Sequence, residues 1–314
     1  MKITVFTPTY NRGYIIGKLY DSLKRQTYTD FEWLVIDDGS TDNTQQLFRE
    51  FQKQDNFFPI RYYKVENGGK HRAINKGVKL AKGELFFTVD SDDYLPDDAL
   101  NSIINTEKTI LDNQKRKFAG LCGLKSYSNS IDIGSTFEGD FLDISILERY
   151  KYNIIGDKAE IFYTNVLKNF PFPEYEGENF CTESIVWDRL SYAGYKLRFF
   201  NKSVYMCNYL EDGLTHQGLL LYAKNPQQWG TCISQDLTFK KYKPYEISIQ
   251  VYKFYLCEKH ELTMSQISKY LHMSKSKVLF FVLFQTVLDV FRRIITGLKI
   301  KDQCLEVQKC LSQK

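Results

Sequence analysis

The sequence predicts an α/β chain built on a Rossmann-like, mainly parallel sheet flanked by helices, and three observations carry that prediction. Apolar, β-branched runs alternate with segments whose apolar residues recur at helical spacing. A short polar cluster follows each of the first runs. The 314 residues are 43% hydrophobic and 25% charged, the composition of a globular chain with a sizeable core.

The first element is the strand of "KITVFTPTYNR", closing at Pro8, and a helix follows in "YIIGKLYDSL", where Ile15, Ile16, Leu19 and Leu23 share a face. "FEWLVIDDGSTDNT" supplies a second strand that runs into Asp37, Asp38 and Gly39. Leu47, Phe48 and Phe51 then mark another helix. "RYYKV" reads as a third strand, "AINKGVKLA" as a short helix and "ELFFTVD" as a fourth strand that is apolar nearly throughout. Strands of this kind, alternating with helices, belong in a sheet covered on both faces. Ligands bind such sheets at the carboxyl ends of the strands. Thr7 to Arg12, Asp37 to Thr41, Asn67 to Arg72 and Asp90 to Asp93 all follow strands, so four polar clusters are expected along one edge.

Beyond residue 117 a strand is expected in "FAGLCGL" and a loop in "NFPFPEYEGENF". A helix resumes in "ESIVWDRLSYA", where Ile185, Val186 and Leu190 fall near one face. Three regions are expected: residues 1–115 and 116–225 as the two halves of one domain, and 226–314 as a C-terminal helical extension.

The stretch "FTVDSDDYLPDD" places five aspartates within nine positions, and that much like charge needs an offset. A divalent cation bound to a nucleotide diphosphate is one candidate, because carboxylate oxygens suit Mg²⁺ or Mn²⁺. Asp90 and Asp92, one residue apart beyond a strand, are the pair best placed to share such an ion. Asp97 and Asp98 follow Pro96 at an expected helix start, where the helix dipole favours acids. Asp93 is expected to be offset by solvent.

"TPTYNR", "VIDDGSTDNT", "ENGGKHRAINKG" and "VDSDDYLPDD", in this order and at these intervals, resemble the N-terminal half of family 2 glycosyltransferases of the non-processive, bacterial surface-polysaccharide kind. The resemblance is close over residues 1–115 and weaker to about 215. It implies the GT-A fold and a nucleotide-sugar donor, with Pro8, Thr9 and Tyr10 lining the nucleotide pocket. Asp38 would then accept from the uracil N3–H, and Lys70 and Arg72 would sit near the nucleotide. Asp90, Ser91 and Asp92 would form the family's D-x-D, holding ribose and metal. The family's general base is the last acid of an E-D pair that opens a helix. Here the frame "NFCTESIVWDRLSYAGY" has Thr182-Glu183 at that place, which makes Glu183 the candidate base. Glu178 and Asp188 are the alternatives, Asp188 being read as a solvated helix residue.

"NYLEDGLTHQG" resembles the segment that closes over the donor site, with His216 as a possible metal or phosphate contact. The Q-x-x-R-W element of processive synthases is missing, so one sugar per encounter is expected. A UDP-sugar donor, Mn²⁺ or Mg²⁺ as cofactor, and a glycan or lipid-linked acceptor complete what the resemblance implies. The alternative is a non-catalytic nucleotide-binding or membrane-associated partner protein, motivated by the Thr182-Glu183 departure.

The formal charge of +4 is concentrated in the tail, where residues 259–314 hold ten Lys/Arg against four Asp/Glu. Within "KSKVLFFVLFQTVLDVFRRIITGLKIK", the apolar run from Val278 to Phe284 is too short to span a bilayer. Further on, Gln285, Asp289, Arg292, Arg293, Thr296 and Lys299 fall on one side of a helix. Peripheral membrane contact through residues 275–301 is expected, or else packing on protein. Seven scattered cysteines without C-x-x-C spacing, and a start lacking a signal peptide, read as a reduced cytoplasmic protein at the inner face of the membrane. No G-x-G-x-x-G follows the first strand, which excludes a dinucleotide-binding Rossmann enzyme. "TPTYNRGYI" is not the Gly-rich, Arg- and Lys-containing loop of a sugar-1-phosphate nucleotidyltransferase. Neither a zinc site nor a nucleic-acid surface is suggested.

Overall fold

A computed structural model describes residues 1–128, 131–207, 218–240 and 243–296. The chain forms two compact units, one of residues 1–172 with 186–209 and the other of residues 173–185 with 210–314.

The first unit is organised by an eight-stranded sheet of order β3-β2-β1-β4-β7-β5-β8-β6. Its strands are β1 (Ile3–Thr9), β2 (Phe31–Asp37), β3 (Ile60–Lys64), β4 (Leu85–Thr88), β5 (Phe118–Tyr127), β6 (Phe141–Ile144), β7 (Lys158–Tyr163) and β8 (Lys196–Cys207). The four expected strands all pair in parallel, with β1 at their centre between β2 and β4. β7 and β6 run against their neighbours, so the sheet is parallel on the N-terminal side and mixed on the other. Every residue of β1 and β2 is buried, the burial expected of strands covered on both faces.

Helices α1 (Gly17–Lys24), α2 (Thr44–Phe51), α3 (Lys70–Leu80) and α4 (Ala99–Lys108) follow β1 to β4 in turn. Leu19 and Leu23 of α1, with Ile16 just ahead of it, and Phe48 and Phe51 of α2 join Trp33, Val35 and Phe87 in one core. The helix after the second strand thus packs by the face that the sequence marks. The short α5 (Thr164–Leu167) follows β7, and α6 (Ser184–Tyr192) carries the buried Ile185, Val186 and Leu190.

The second unit contains α7 (Gly218–Ala223), α8 (Pro226–Phe239), α9 (Pro244–Glu258), α10 (Met264–Tyr270) and α11 (Lys275–Thr296). Trp229, Ile233, Val251, Phe254, Leu271, Val278 and Phe281 build its core. Segment 173–185 belongs here instead of with the sheet. The reason is hydrogen bonding: Glu178 accepts from the Gln227 and Gln228 amides at 2.6 and 2.9 Å, capping α8, and Asn225 Oδ1 accepts from the Asn179 and Phe180 amides. Residues 297–301 of the expected tail helix lie outside the described residues.

The tail helix turns the side that carries Gln285 and Asp289 inward. Gln285 and Asp289 are buried, and Gln285 Oε1 accepts from the Ser248 hydroxyl at 3.0 Å. Leu279, Phe280, Leu283, Phe284, Val287 and Val290 are the exposed side chains. Among the described residues no helix is long and apolar enough to cross a membrane.

Candidate active site

The carboxyl ends of β1, β2 and β4 and the N-terminus of α3 bring most of the expected residues to one edge of the first unit. The loop after β1 is stitched to the loop after β2. Asn11, held in the left-handed region at φ 52°, accepts from the Thr41 amide at 2.7 Å through its side-chain oxygen, and its own amide donates to the Ser40 hydroxyl at 2.8 Å. Asp42 accepts from the Gly13 amide and from the amide and hydroxyl of Thr44, which starts α2. Gly39 has φ +86°, and a Cβ there would lie 2.9 Å from the Asn67 amide nitrogen, so this turn requires glycine.

Asp37 and Asp38 serve different ends. Asp37 is fully buried, accepting from the Ser40 amide at 2.7 Å and from the Tyr62 hydroxyl, and so holds the turn. Asp38 spans to the loop ahead of α3: its two carboxylate oxygens accept from the amides of Gly68 and Gly69, each at 2.8 Å. Burial raises its pKa above the ordinary carboxylate value, and the two glycine amides oppose that rise. Pro8 and Thr9 are buried at the end of β1, the Thr9 hydroxyl without a hydrogen-bond partner, while Tyr10 is 48% exposed. Arg72 Nη1 donates to the Gly68 carbonyl at 2.6 Å, bracing the loop that Asp38 grips.

The acidic turn after β4 is offset from within the chain. Lys70 Nζ lies 2.6 Å from Asp90 Oδ1, and Arg12 Nη2 lies 4.0 Å from Asp92 Oδ2. Burial raises the pKa of Asp90, but Lys70 and Lys125 outweigh it and hold the carboxyl below its usual value. Asp92 moves the other way, raised by burial and by the charge of Asp90. Ser91 is buried between them. Asp93 corrects the expectation that solvent offsets it: it is only 7% exposed and accepts from the Tyr205 hydroxyl at 2.7 Å. Burial and the Asp90 charge push it up to about 7. Asp98 occupies the position just before α4 and pairs with Lys202 at 2.8 Å, while Asp97 pairs with Arg25 at 2.9 Å.

Two features fit a divalent cation at this edge. Asp90 and Asp92 are both partly accessible, with side chains 32% and 21% exposed, and the charge of one raises the proton affinity of the other. Their oxygens are hard ligands suited to Mg²⁺ or Mn²⁺. Among the described residues no three His, Cys, Asp or Glu side chains form a metal-holding group, so a cation there would need diphosphate oxygens or water as further ligands.

Lys125 and Tyr205, on β5 and β8, were not signalled by any motif. Lys125 Nζ sits 4.2 Å from the centroid of the Tyr205 ring. A lone lysine closing the apolar run "FAGLCGLK" was the available clue.

The candidate base Glu183 belongs to the second unit, at the residue before α6, and is half-buried. Thr182, standing where the resemblance expects an acid, pairs its hydroxyl with that of Ser184 at 3.2 Å. Of the alternatives, Glu178 is committed to capping α8, and Asp188 is 5% exposed, contrary to the solvated position expected of it. Residues 208–217, including Asp212, Gly213 and His216, lie outside the described residues. The five described cysteines are free thiols.

Comparison with known proteins concerns the segment that carries this edge. The profile of the family described as Glycosyl transferase family 2 matches residues 4–109, the segment that carries β1 to β4 and all four polar clusters. Over this segment the chain is similar to glycosyltransferase family 2. A glycosyltransferase, GlyA, of Streptococcus pneumoniae is 30% identical over 228 residues, covering 71% of this chain and 28% of that protein. The poly(ribitol-phosphate) β-N-acetylglucosaminyltransferase TarP of Staphylococcus aureus is 29% identical over 180 residues, 53% of this chain and 54% of TarP. The solved structure of S. aureus TarS 1-349 in complex with UDP-GlcNAc superposes with a TM-score of 0.58 at 21% identity, covering 86% of this chain and 70% of that one. This likeness gives the GT-A fold. The chain spans between 17% and 59% of the length of these and other curated relatives.

Proposed function

We propose that the chain is an inverting, metal-dependent family 2 glycosyltransferase. It would move a sugar from a nucleotide-sugar, UDP-linked in our reading, to a hydroxyl of a glycan or lipid-linked oligosaccharide in bacterial surface-polysaccharide synthesis. The observation that carries this reading is the convergence of Asp38, Lys70, Arg72, Asp90 and Asp92 on the carboxyl edge of the sheet. The UDP-GlcNAc bound by the TarS structure and the polymer named for TarP support the donor and acceptor classes.

Each residue has a task in this scheme. Asp38, fixed by the Gly68 and Gly69 amides, presents its remaining lone pairs to the uracil N3–H, beside Pro8, Thr9 and Tyr10. Asp90, Ser91 and Asp92 hold the ribose and the cation, whose positive charge supplies stabilisation for the departing diphosphate. Lys70 and Arg72, at the start of α3, would lie near the phosphates. Displacement at the anomeric carbon requires a carboxylate to take the proton of the acceptor hydroxyl on the face opposite the leaving group, and Glu183 has that role. Its carboxylate reaches one methylene further than the family's aspartate.

Calorimetric titration of UDP, with Mn²⁺ and with EDTA, tests the donor site. Metal-dependent binding is expected, and no binding in either buffer would overturn the uridine reading. The non-catalytic alternative requires that nucleotide binding survive while no sugar is transferred from any donor.

We further propose that α11 rests on the inner face of the membrane. Leu279, Phe280, Leu283, Phe284, Val287 and Val290 form its apolar face, and Lys275 and Lys277 are exposed at its start. Co-sedimentation with anionic vesicles, abolished in a Phe280→Ser/Leu283→Ser variant, is the expected result. Equal sedimentation of wild type and variant would refute it.

A further inference from the structure

Two negatively charged side chains one residue apart repel, and a turn free to relax would let Asp90 and Asp92 swing away from a common point. Holding both toward one cation requires the backbone between them to be fixed from outside. In this chain the fixing group is a buried phenol on a distant strand. Tyr205, on β8 and 1% exposed, accepts a hydrogen bond from the Asp90 amide at 2.9 Å and donates one to Asp93 Oδ2 at 2.7 Å. A single oxygen therefore grips the turn on both sides of Ser91 and Asp92.

The surroundings make that grip firm. Immediately beyond the turn, Tyr94 and Met206 exchange two backbone hydrogen bonds of 3.0 and 2.8 Å, so the chain after the aspartates is docked on β8 beside Tyr205 itself. On the ring face, Lys125 of β5 lies 4.2 Å from the centroid, a cation–π contact that also brings a positive charge toward Asp90 and Asp93. β8 is separated from β4 by β7 and β5, so these bonds tie the acidic turn to the far side of the sheet.

We propose that Tyr205 is a positioning residue that pre-sets the Asp90–Asp92 pair for a divalent cation, acting through the Asp90 amide and the Asp93 carboxylate. This rests on the reading of Asp90 and Asp92 as the cation's carboxylates. Tyrosine is required because its hydroxyl both accepts and donates. Phenylalanine would fill the same volume and leave a buried amide and a buried carboxylate without partners.

The test is Tyr205→Phe, measured first without ligand. Exchange of the Asp90 amide with deuterated solvent is expected to be at least tenfold faster in the variant. UDP binding is then followed by calorimetry across a Mn²⁺ series. The Mn²⁺ concentration giving half of the metal-dependent binding is expected to rise about tenfold, with UDP affinity in EDTA unchanged within twofold. A half-saturating Mn²⁺ concentration within twofold of wild type would overturn the proposal even if the protein were less stable, because a purely structural role predicts that result. Wild-type protein that binds UDP without any metal effect would instead refute the cation reading, and the exchange measurement keeps the two failures apart. Should Tyr205→Phe fail to fold, Asp93→Ala and Asp93→Asn replace it. Both lose the charge, but only asparagine keeps an acceptor for the phenol. The proposal requires a higher half-saturating Mn²⁺ concentration for alanine than for asparagine, and equality of the two overturns it.

Discussion

The acidic turn of the first unit and the buried glutamates of the second solve the same problem in opposite ways. Asp90 and Asp92 stay partly accessible and are offset by the side-chain cations of Lys70, Lys125 and Arg12. Glu178 and Glu258 are 5% and 2% exposed. Glu178 is consumed as a helix cap, and Glu258 is pushed up to about 8 by burial first and then by Glu261 and Glu178. In the turn the carboxylates are offset by side-chain cations, whereas in the second unit Glu178 is spent on two helix-start amides and Glu258 holds a proton. Glu183, half-buried in the second unit, is the proposed exception there.

The sharpest way to break this contrast is Glu183→Gln. If Glu183 is the base, sugar transfer falls by about 10²- to 10⁴-fold while UDP affinity stays within twofold. A variant that retains transfer would return the second unit's carboxylates to purely structural roles.

Asp92→Asn tests the other side of the comparison. Metal-dependent UDP binding is expected to weaken by about a hundredfold, since one of the two charged oxygen ligands is lost. The companion variant Asp98→Asn, at the start of α4, should leave it within twofold. Equal effects from the two would mean that the turn acts only through its overall charge.

Glu258 sharpens the comparison through pH. Its folded pKa of about 8 lies above its ordinary value of 4.5, so the folded state keeps a proton that the unfolded chain has already lost. Stability contributed by this group is therefore full below about 4.5 and is lost as pH rises through 8. Glu258→Gln, neutral at every pH, should flatten that loss and be more stable than wild type at pH 9, by at most about 5 kcal/mol for a gap of about 3.5 pKa units, read by denaturant titration. Parallel stability–pH curves for the two proteins would show that Glu258 is charged in the fold.

How much of this was legible in the sequence follows from the range of the interactions. β1 to β4 and their helices were readable because local periodicity and burial agree there, and the four polar clusters could be placed on one edge because parallel strands put their carboxyl ends together. The antiparallel β7, inserted between β4 and β5, was not readable. "KAEIFY" carries no alternation, and its place depends on pairing with strands far away in sequence. Tyr205 and Lys125 escaped for the same reason: their partners are more than 30 residues distant, at Asp90 and Asp93. The inward polar side of α11 escaped because Gln285 is satisfied by Ser248, 37 residues earlier, and a helical wheel alone assigns polar residues to water.

The smallest effect is expected where the same residue type sits outside the turn. Asp97, 60% exposed, pairs with Arg25, 51% exposed, at 2.9 Å, a contact as short as many inside the site. Exposed pairs of this kind contribute about 0.5 kcal/mol or less, because water screens the charges and two long side chains must be ordered. Asp97→Asn should therefore shift stability by no more than that, and salt should shrink the difference further. It should leave UDP affinity unchanged, although Asp97 stands only five residues from Asp92. Proximity in sequence gives the five aspartates a common appearance, and partial accessibility beside Lys70 and Arg12 separates the two proposed to hold a cation from the rest. A large loss of UDP binding in Asp97→Asn would show instead that the whole run acts as one electrostatic unit, and the division drawn here between site and helix start would fall.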